Sequence, residues 1–246
     1  MRLHDQLADS GAKLFRWRSY VLLAFVPFLI FVTTKGPRID ESFGPLVGYV
    51  FSALCILMVV SGECLRIYTV SFVDPKTSGR NVKEQVAAEL NTTGIYSQVR
   101  NPLYLGNCLM YLGVVLYGQS IVLGVILALT LIPYYERIIS AEEKFLSEKF
   151  GVVYEDWCAT TPAFFPKLAG WTPPARKFSP RILISREYTS IYGAILSLYL
   201  VNLGLTKLGP DGGDVANIWH WVLGFSSVIS IVIYLLKTKT KLLKAR

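Results

Sequence analysis

The sequence predicts an all-α integral membrane protein with about six transmembrane helices, two of them a tight helical hairpin, and a cytoplasmic cap. Three observations carry this expectation. Of 246 residues, 52% are hydrophobic and 17% charged, where a soluble domain carries about a quarter charged residues. The deficit is concentrated in five stretches that are nearly free of charge. Finally, 22 of the 25 Lys and Arg residues fall on one side of the membrane once those stretches are threaded through it.

Taken in order, the stretches are Tyr20–Thr34, Pro45–Gly62, Leu103–Tyr135, Tyr188–Thr206 and Ile218–Leu236. Several approach the roughly 20 apolar residues that cross a hydrocarbon core. The first is short and contains Pro27. It is expected to be a retained helix and not a cleaved leader, because no small-residue cleavage site follows it. The third is broken by Gly118-Gln119-Ser120, a tight turn between two short helices, and so counts as two spans. Six spans put both termini on one side. The opposite side holds only Lys35, Arg38 and Lys207, so the positive-inside rule places both termini and the two large polar segments in the cytoplasm. The net charge of +8 then belongs to topology and anionic lipid headgroups, not to nucleic acid.

The chain divides into residues 1–70 with two spans, 71–166 with a polar segment, the hairpin and a candidate core, and 167–246 with an interfacial stretch and two spans. In the first polar segment, Ser71–Asn101, Asp74-Pro75 and Ser78-Gly79 mark turns, a polar helix is expected near Val82–Leu90, and Asn91-Thr92-Thr93-Gly94 forms another turn. In the second, Glu136–Glu187, Ile138, Phe145, Leu146 and Phe150 recur at helical spacing with charges between them. Gly151 suits the end of that helix. Pro162, Pro166, Pro173 and Pro174 make the next stretch irregular. Arg176–Arg186 alternates basic and apolar residues and is expected to lie along the membrane surface.

Cys55, Cys64 and Cys108 lie in spans and Cys158 in a polar segment; without a C-x-x-C they read as apolar filler. The glycine-rich run Gly209–Asp214 is acidic, external and follows no strand, so it is a loop. No G-x-G-x-x-G occurs, which excludes a Rossmann-type cofactor site. Glu63 and Arg66 form an i,i+3 pair, and as intramembrane charges they are functional candidates.

The strongest local signal is the run from Gly94 to Gly106. Asn101 is a favoured N-cap and Pro102 suits the first helical position. The N–H groups of such a turn, with the helix dipole, make an anion site. Arg100 adds a fixed positive charge, and Tyr96 and Tyr104 add hydroxyls. Glu142 and Glu143 follow the hairpin and could hold a cationic group, or one of them could pair with Arg100. The hairpin returns the chain to the side it left, so the anion site and the acidic pair emerge together. That combination suits a zwitterionic amino acid.

At these residues the sequence resembles a known family. VRNPLYLG, a helical hairpin, AEEKFLSEKFGVVYEDW and a closing Pro are similar to the isoprenylcysteine carboxyl methyltransferases and phospholipid methyltransferases, over about residues 88–166. The run ELNTTGIYSQVRNPLYLGN with TPAFFP further resembles bacterial members linked to methylating a lipid A phosphate. The resemblance implies S-adenosylmethionine as cofactor and a lipid acceptor entering from the bilayer. It implies that Ile95, Tyr96, Ser97 and Gln98 line the cofactor. Asn101, Pro102 and Tyr104 would cradle it, Glu142 and Glu143 would meet its amino group or order the site, and Arg100 would orient an acidic acceptor. Arg100, Asn101 and Glu143 are thus the expected catalytic residues. The family usually carries His where this chain has Asn101.

The acceptor class follows from chemistry. Neither histidine, His4 nor His220, is near the motif. A hydroxyl acceptor would need a base, whereas a phosphate or carboxylate oxygen needs only positioning against the sulfonium. The competing readings are a nicotinamide-dependent membrane reductase of the sterol reductase type, which shares an Arg-x-Pro-x-Tyr stretch, and a non-enzymatic membrane scaffold or carrier using Glu63 and Arg66.

Overall fold

A computed structural model describes residues 3–17, 20–73, 87–209, 212–240 and 242–243. All regular elements among the described residues are helical. Among the described residues, four helices are long and apolar enough to cross a membrane: α4 (Pro45–Ser71), α6 (Ile121–Phe150), α8 (Pro180–Lys207) and α9 (Asn217–Lys239). The others are α1 (Leu3–Phe15), α2 (Val26–Lys35), α3 (Ile39–Phe43), α5 (Pro102–Tyr117) and α7 (Val152–Thr160).

The expected first span is not one continuous helix. Val21–Phe25 is a 3-10 turn, and α2 has only 10 residues, about 15 Å of rise and half a hydrocarbon core. Pro27 lies in the first turn of α2, where its missing N–H costs no hydrogen bond and where a helix most readily restarts. The hairpin's first helix, α5, has 16 residues and is also shorter than a full span.

The hairpin itself forms as the turn residues predict. Gly118 ends α5, Gln119 takes φ 65°, and the Ser120 hydroxyl accepts from Leu123 N–H to start α6. The left-handed residue is Gln119, a conformation that favours glycine. Its side chain is tied across to α4 by a 2.7 Å bond to the Ser52 hydroxyl. α4 and α5 run in close contact because glycines face each other. A Cβ on Gly62 would lie 2.5 Å from the Gly106 carbonyl oxygen, and one on Gly113 would lie 2.7 Å from the Cys55 carbonyl oxygen. Small residues at a helix crossing allow this approach in lipid.

α6 continues without interruption from the hairpin through Pro133 to Phe150. The amphipathic helix expected after Tyr135 is therefore the second half of one helix, and it ends at Gly151 (φ 54°) as expected. α1 packs along this half: Gly11 abuts the Arg137 carbonyl, and Asp5 lies 3.9 Å from Lys144. Arg176–Arg186 does not form a separate surface-lying stretch. Ser179 caps α8, and residues from Pro180 onward are its first turns. The expected helix near Val82–Leu90 is not seen at 87–90. Residues 82–86, with Asp74-Pro75, Ser78-Gly79 and Arg80, lie outside the described residues.

The two polar segments join at one end of the bundle. Ser179 N–H donates to the Ser71 carbonyl (3.0 Å), Gly94 N–H to Thr172 (2.8 Å) and Lys167 N–H to Gln98 (3.1 Å). Lys237 near the end of α9 donates to the Ser185 carbonyl at the same end. The described ends of the chain thus lie at the same end as the polar layer. α9 buries no residue and exposes Trp221, Phe225 and Val228, as a lipid-facing helix does.

Candidate active site

The site is assembled where α5 enters the bundle and the far half of α6 passes beside it. Its floor is the 3-10 turn Gly94–Ser97. Gly94 has φ 62°, and a Cβ there would press on the Pro174 ring at 3.2 Å. Glycine is therefore required by both conformation and space. The Ser97 hydroxyl donates to the Gly94 carbonyl (2.7 Å) and accepts from Thr172 N–H (3.1 Å). Trp157 of α7 donates its indole N–H to the Tyr96 carbonyl (3.1 Å). These bonds fasten the residues preceding α5 to the Pro-rich stretch after α7.

Asn101 occupies the N-cap position of α5, but its side chain makes no capping bond. It donates instead to the Ala163 carbonyl at 3.0 Å. Capping is therefore not its role; it ties the helix entrance to the stretch after α7. Arg100 N–H does the same to the Pro162 carbonyl, at 2.9 Å. Pro102 is fully buried at the first helical position. With no side-chain cap, the first turn of α5 directs its dipole at whatever lies beyond it.

The acidic pair reaches this entrance. The Arg100 guanidinium lies 2.7 Å from Glu143, with 15% and 25% of the two side chains exposed. The Tyr104 hydroxyl donates to Glu142 at 2.7 Å, and its ring packs on Tyr135 with centroids 5.0 Å apart. Burial, and then the Glu142 charge, push the Tyr96 hydroxyl well above the ordinary tyrosine range, with Arg186 opposing. The Tyr154 hydroxyl is likewise pushed up, first by burial and then by Cys158 and Glu143, with Arg100 opposing. Both phenols stay neutral and can donate hydrogen bonds.

Of the expected residues, Arg100, Tyr104, Glu142 and Glu143 converge directly, and Asn101, Pro102 and Tyr96 frame them. Ile95 is half-buried in the floor. Ser97 and Gln98 are buried, and both hold the 167–172 stretch by hydrogen bonds. Tyr154 and Trp157 received no role from the sequence, although both stand in the run that resembles the family. Glu63 and Arg66 attract each other across one turn, but they share no hydrogen bond among the described residues. Arg66 instead bonds Glu187 of α8 (2.8 Å) and Asn107 of α5 (2.6 Å), while Glu63 accepts from Ser190 (2.9 Å).

Residues 47–152 match the family model described as phospholipid methyltransferase. Over 125 residues, 48% of the chain, the sequence is 32% identical to the Protein-S-isoprenylcysteine O-methyltransferase of Mus musculus, covering 42% of that protein. Over 83 residues, 34% of the chain, it is 41% identical to the nickel-cobalt-cadmium resistance protein NccN of Alcaligenes xylosoxydans xylosoxydans, covering 38% of it. The chain therefore spans about two-fifths of the length of these curated relatives. No solved structure matches the chain.

Proposed function

We propose that the protein is an S-adenosylmethionine-dependent methyltransferase. Its acceptor is an anionic group, phosphate or carboxylate, of a membrane lipid or lipidated molecule at the cytoplasmic face. The observation that carries this reading is the convergence of Arg100 and Tyr104 at the α5 entrance with Glu143 and Glu142 of α6. The uncapped helix start and the acidic pair match the carboxylate and ammonium of an amino acid, and Arg100 stands at their edge for the acceptor.

The residues present fit that cofactor. The first turn of α5 offers backbone N–H groups to a carboxylate, and Glu142 and Glu143 offer oxygens to an ammonium. Ile95, Tyr96, Ser97 and Gln98 form the adjoining wall, with Pro102 and Tyr104 above it. The bound cofactor supplies an electrophilic methyl group; the protein positions the acceptor oxygen against it. Arg100 holds that acceptor. Its Nε is buried and has no hydrogen-bond partner among the described residues, leaving a donor for an incoming anion. Asn101, in place of the family's usual His, keeps the amide donor that anchors the entrance.

The 22 basic residues on one side support the cytoplasmic assignment. Titration of detergent-purified protein with S-adenosylmethionine and with NADPH, paired with lipid mass spectrometry for a 14 Da gain, tests the reading. Binding of NADPH alone, or of neither, with no methylated lipid would sink it.

A further inference from the structure

A second polar cluster lies deeper in the bundle, on the same side of α5 as the candidate site. Asn107 stands six residues beyond Asn101, about 9 Å along the helix. Its side-chain oxygen accepts from Arg66, and Arg66 is bonded in turn to Glu187. One turn before Arg66, Glu63 is 8% exposed. Its Oε2 accepts from Ser190, but its Oε1 is buried and has no hydrogen-bond partner among the described residues. Such an oxygen carries the full desolvation penalty of a buried acceptor. Charged or protonated, that carboxyl keeps acceptor capacity there. Three residues after Ser190, Gly193 of α8 is half-buried, yet a Cβ on it would meet nothing within 4 Å. α8 thus leaves room one turn along from the Ser190–Glu63 hydrogen bond.

We propose that Glu63 selects the lipid acceptor: Oε1 receives a hydrogen bond from a donor group in the acceptor's linkage region, between its head and its chains. This rests on the reading that an anionic lipid head sits at Arg100. A head there places the linkage region deeper along α5, toward Arg66 and Glu63. The required chemistry is an N–H or O–H donor, from an amide, a hydroxyl or an ammonium. A plain diester lipid has none to offer.

The test is native mass spectrometry of the full chain in detergent, titrated with three phosphate lipids and a phosphatidylcholine control. Phosphatidate has only ester linkages, ceramide 1-phosphate has an amide and a hydroxyl, and sphingosine 1-phosphate has an ammonium and a hydroxyl. One or both donor lipids should bind about tenfold or more tighter than phosphatidate, as a hydrogen bond to a charged group implies. A gain for sphingosine 1-phosphate alone identifies an ammonium; a gain shared by ceramide 1-phosphate identifies a neutral donor. Glu63→Leu should erase the preference and Glu63→Gln, which keeps an acceptor oxygen, should retain most of it. S-adenosylmethionine binding should be unchanged in both. Equal binding of all three phosphate lipids by the wild-type protein overturns the inference without any variant having to fold. Phosphate lipids that bind no better than phosphatidylcholine overturn the anionic-acceptor reading beneath it as well.

Discussion

Replacing Arg100 with Lys isolates geometry from charge. One arm of the guanidinium is committed to Glu143 at 2.7 Å, while Nε is buried without a hydrogen-bond partner among the described residues. An arginine can hold the carboxylate with one edge and an anion with another, because its donors form a planar fork. A lysine ammonium is a single point and must serve both from one nitrogen. Glu143 is three-quarters buried and close, so it retains the ammonium, and the acceptor loses its charge-assisted contact. Removing one such donor at a developing or reacting oxygen costs about 2–4 kcal/mol, or roughly 30- to 1,000-fold in rate. Because the positive charge beside Glu143 survives, stability should move by less than about 1 kcal/mol. The measurements are transfer of labelled methyl from S-adenosylmethionine to lipid extract, calorimetric affinity for the cofactor, and thermal denaturation. Turnover should collapse while affinity changes less than about threefold. Full turnover in the variant, or a loss of cofactor affinity as large as the loss of rate, would refute the assignment.

Three further outcomes are expected. Asn101→Asp removes the amide donor to the Ala163 carbonyl and should destabilise the protein by about 1–3 kcal/mol, whereas Asn101→His retains an N–H and should melt within a few degrees of wild type; equal melting of Asp and wild type would contradict the bond. Tyr154 has a folded-state pKa raised above its ordinary value of 10.0 by burial, so its contribution is fully present below about pH 10 and is lost as pH rises beyond it. Thermal stability should fall above that pH and Tyr154→Phe should lessen the fall; an unchanged alkaline profile would argue against a buried phenol. Cysteines placed at Lys167 and Arg38 should be labelled in intact cells only at position 38, and labelling at 167 from outside would invert the proposed topology.

Features set by neighbours in sequence were legible beforehand. The hairpin turn, the stop at Gly151 and Pro102 in the first turn of α5 all follow from residues within a turn of one another. The pairing of the Gly94–Gly106 run with Glu142 and Glu143 was also accessible, because a tight hairpin leaves few places for the returning helix. Partners distant in the chain were not legible. Arg66 meets Glu187 across 121 positions, and nothing in either neighbourhood names the other. Asn101 looked like a cap because caps are local, but the Ala163 carbonyl, 62 residues away, claims its amide. Glu136 and Arg186 mark where the apolar and polar parts of α6 and α8 meet. The sequence reading took each for a change of element. α6 and α8 run through those points unbroken, since a helix satisfies its own backbone in either medium.

The continuity of α6 ties its chemistry to its buried half. From Ile121 to Glu142 the helix is one rod of about 32 Å, and its starting point is pinned by Gln119 against Ser52 of α4. Each residue added to that rod turns everything beyond it by about 100° and advances it by 1.5 Å. A single insertion among the lipid-facing residues would therefore swing Glu142 and Glu143 off Tyr104 and Arg100 without touching the site. The acidic pair has in effect a fixed length of shaft and a fixed angle, both counted from a turn at the opposite end of the bundle. Conversely, residues can be exchanged freely along the exposed face of the shaft, at Val125, Leu129 and Ile132, provided that none is gained or lost.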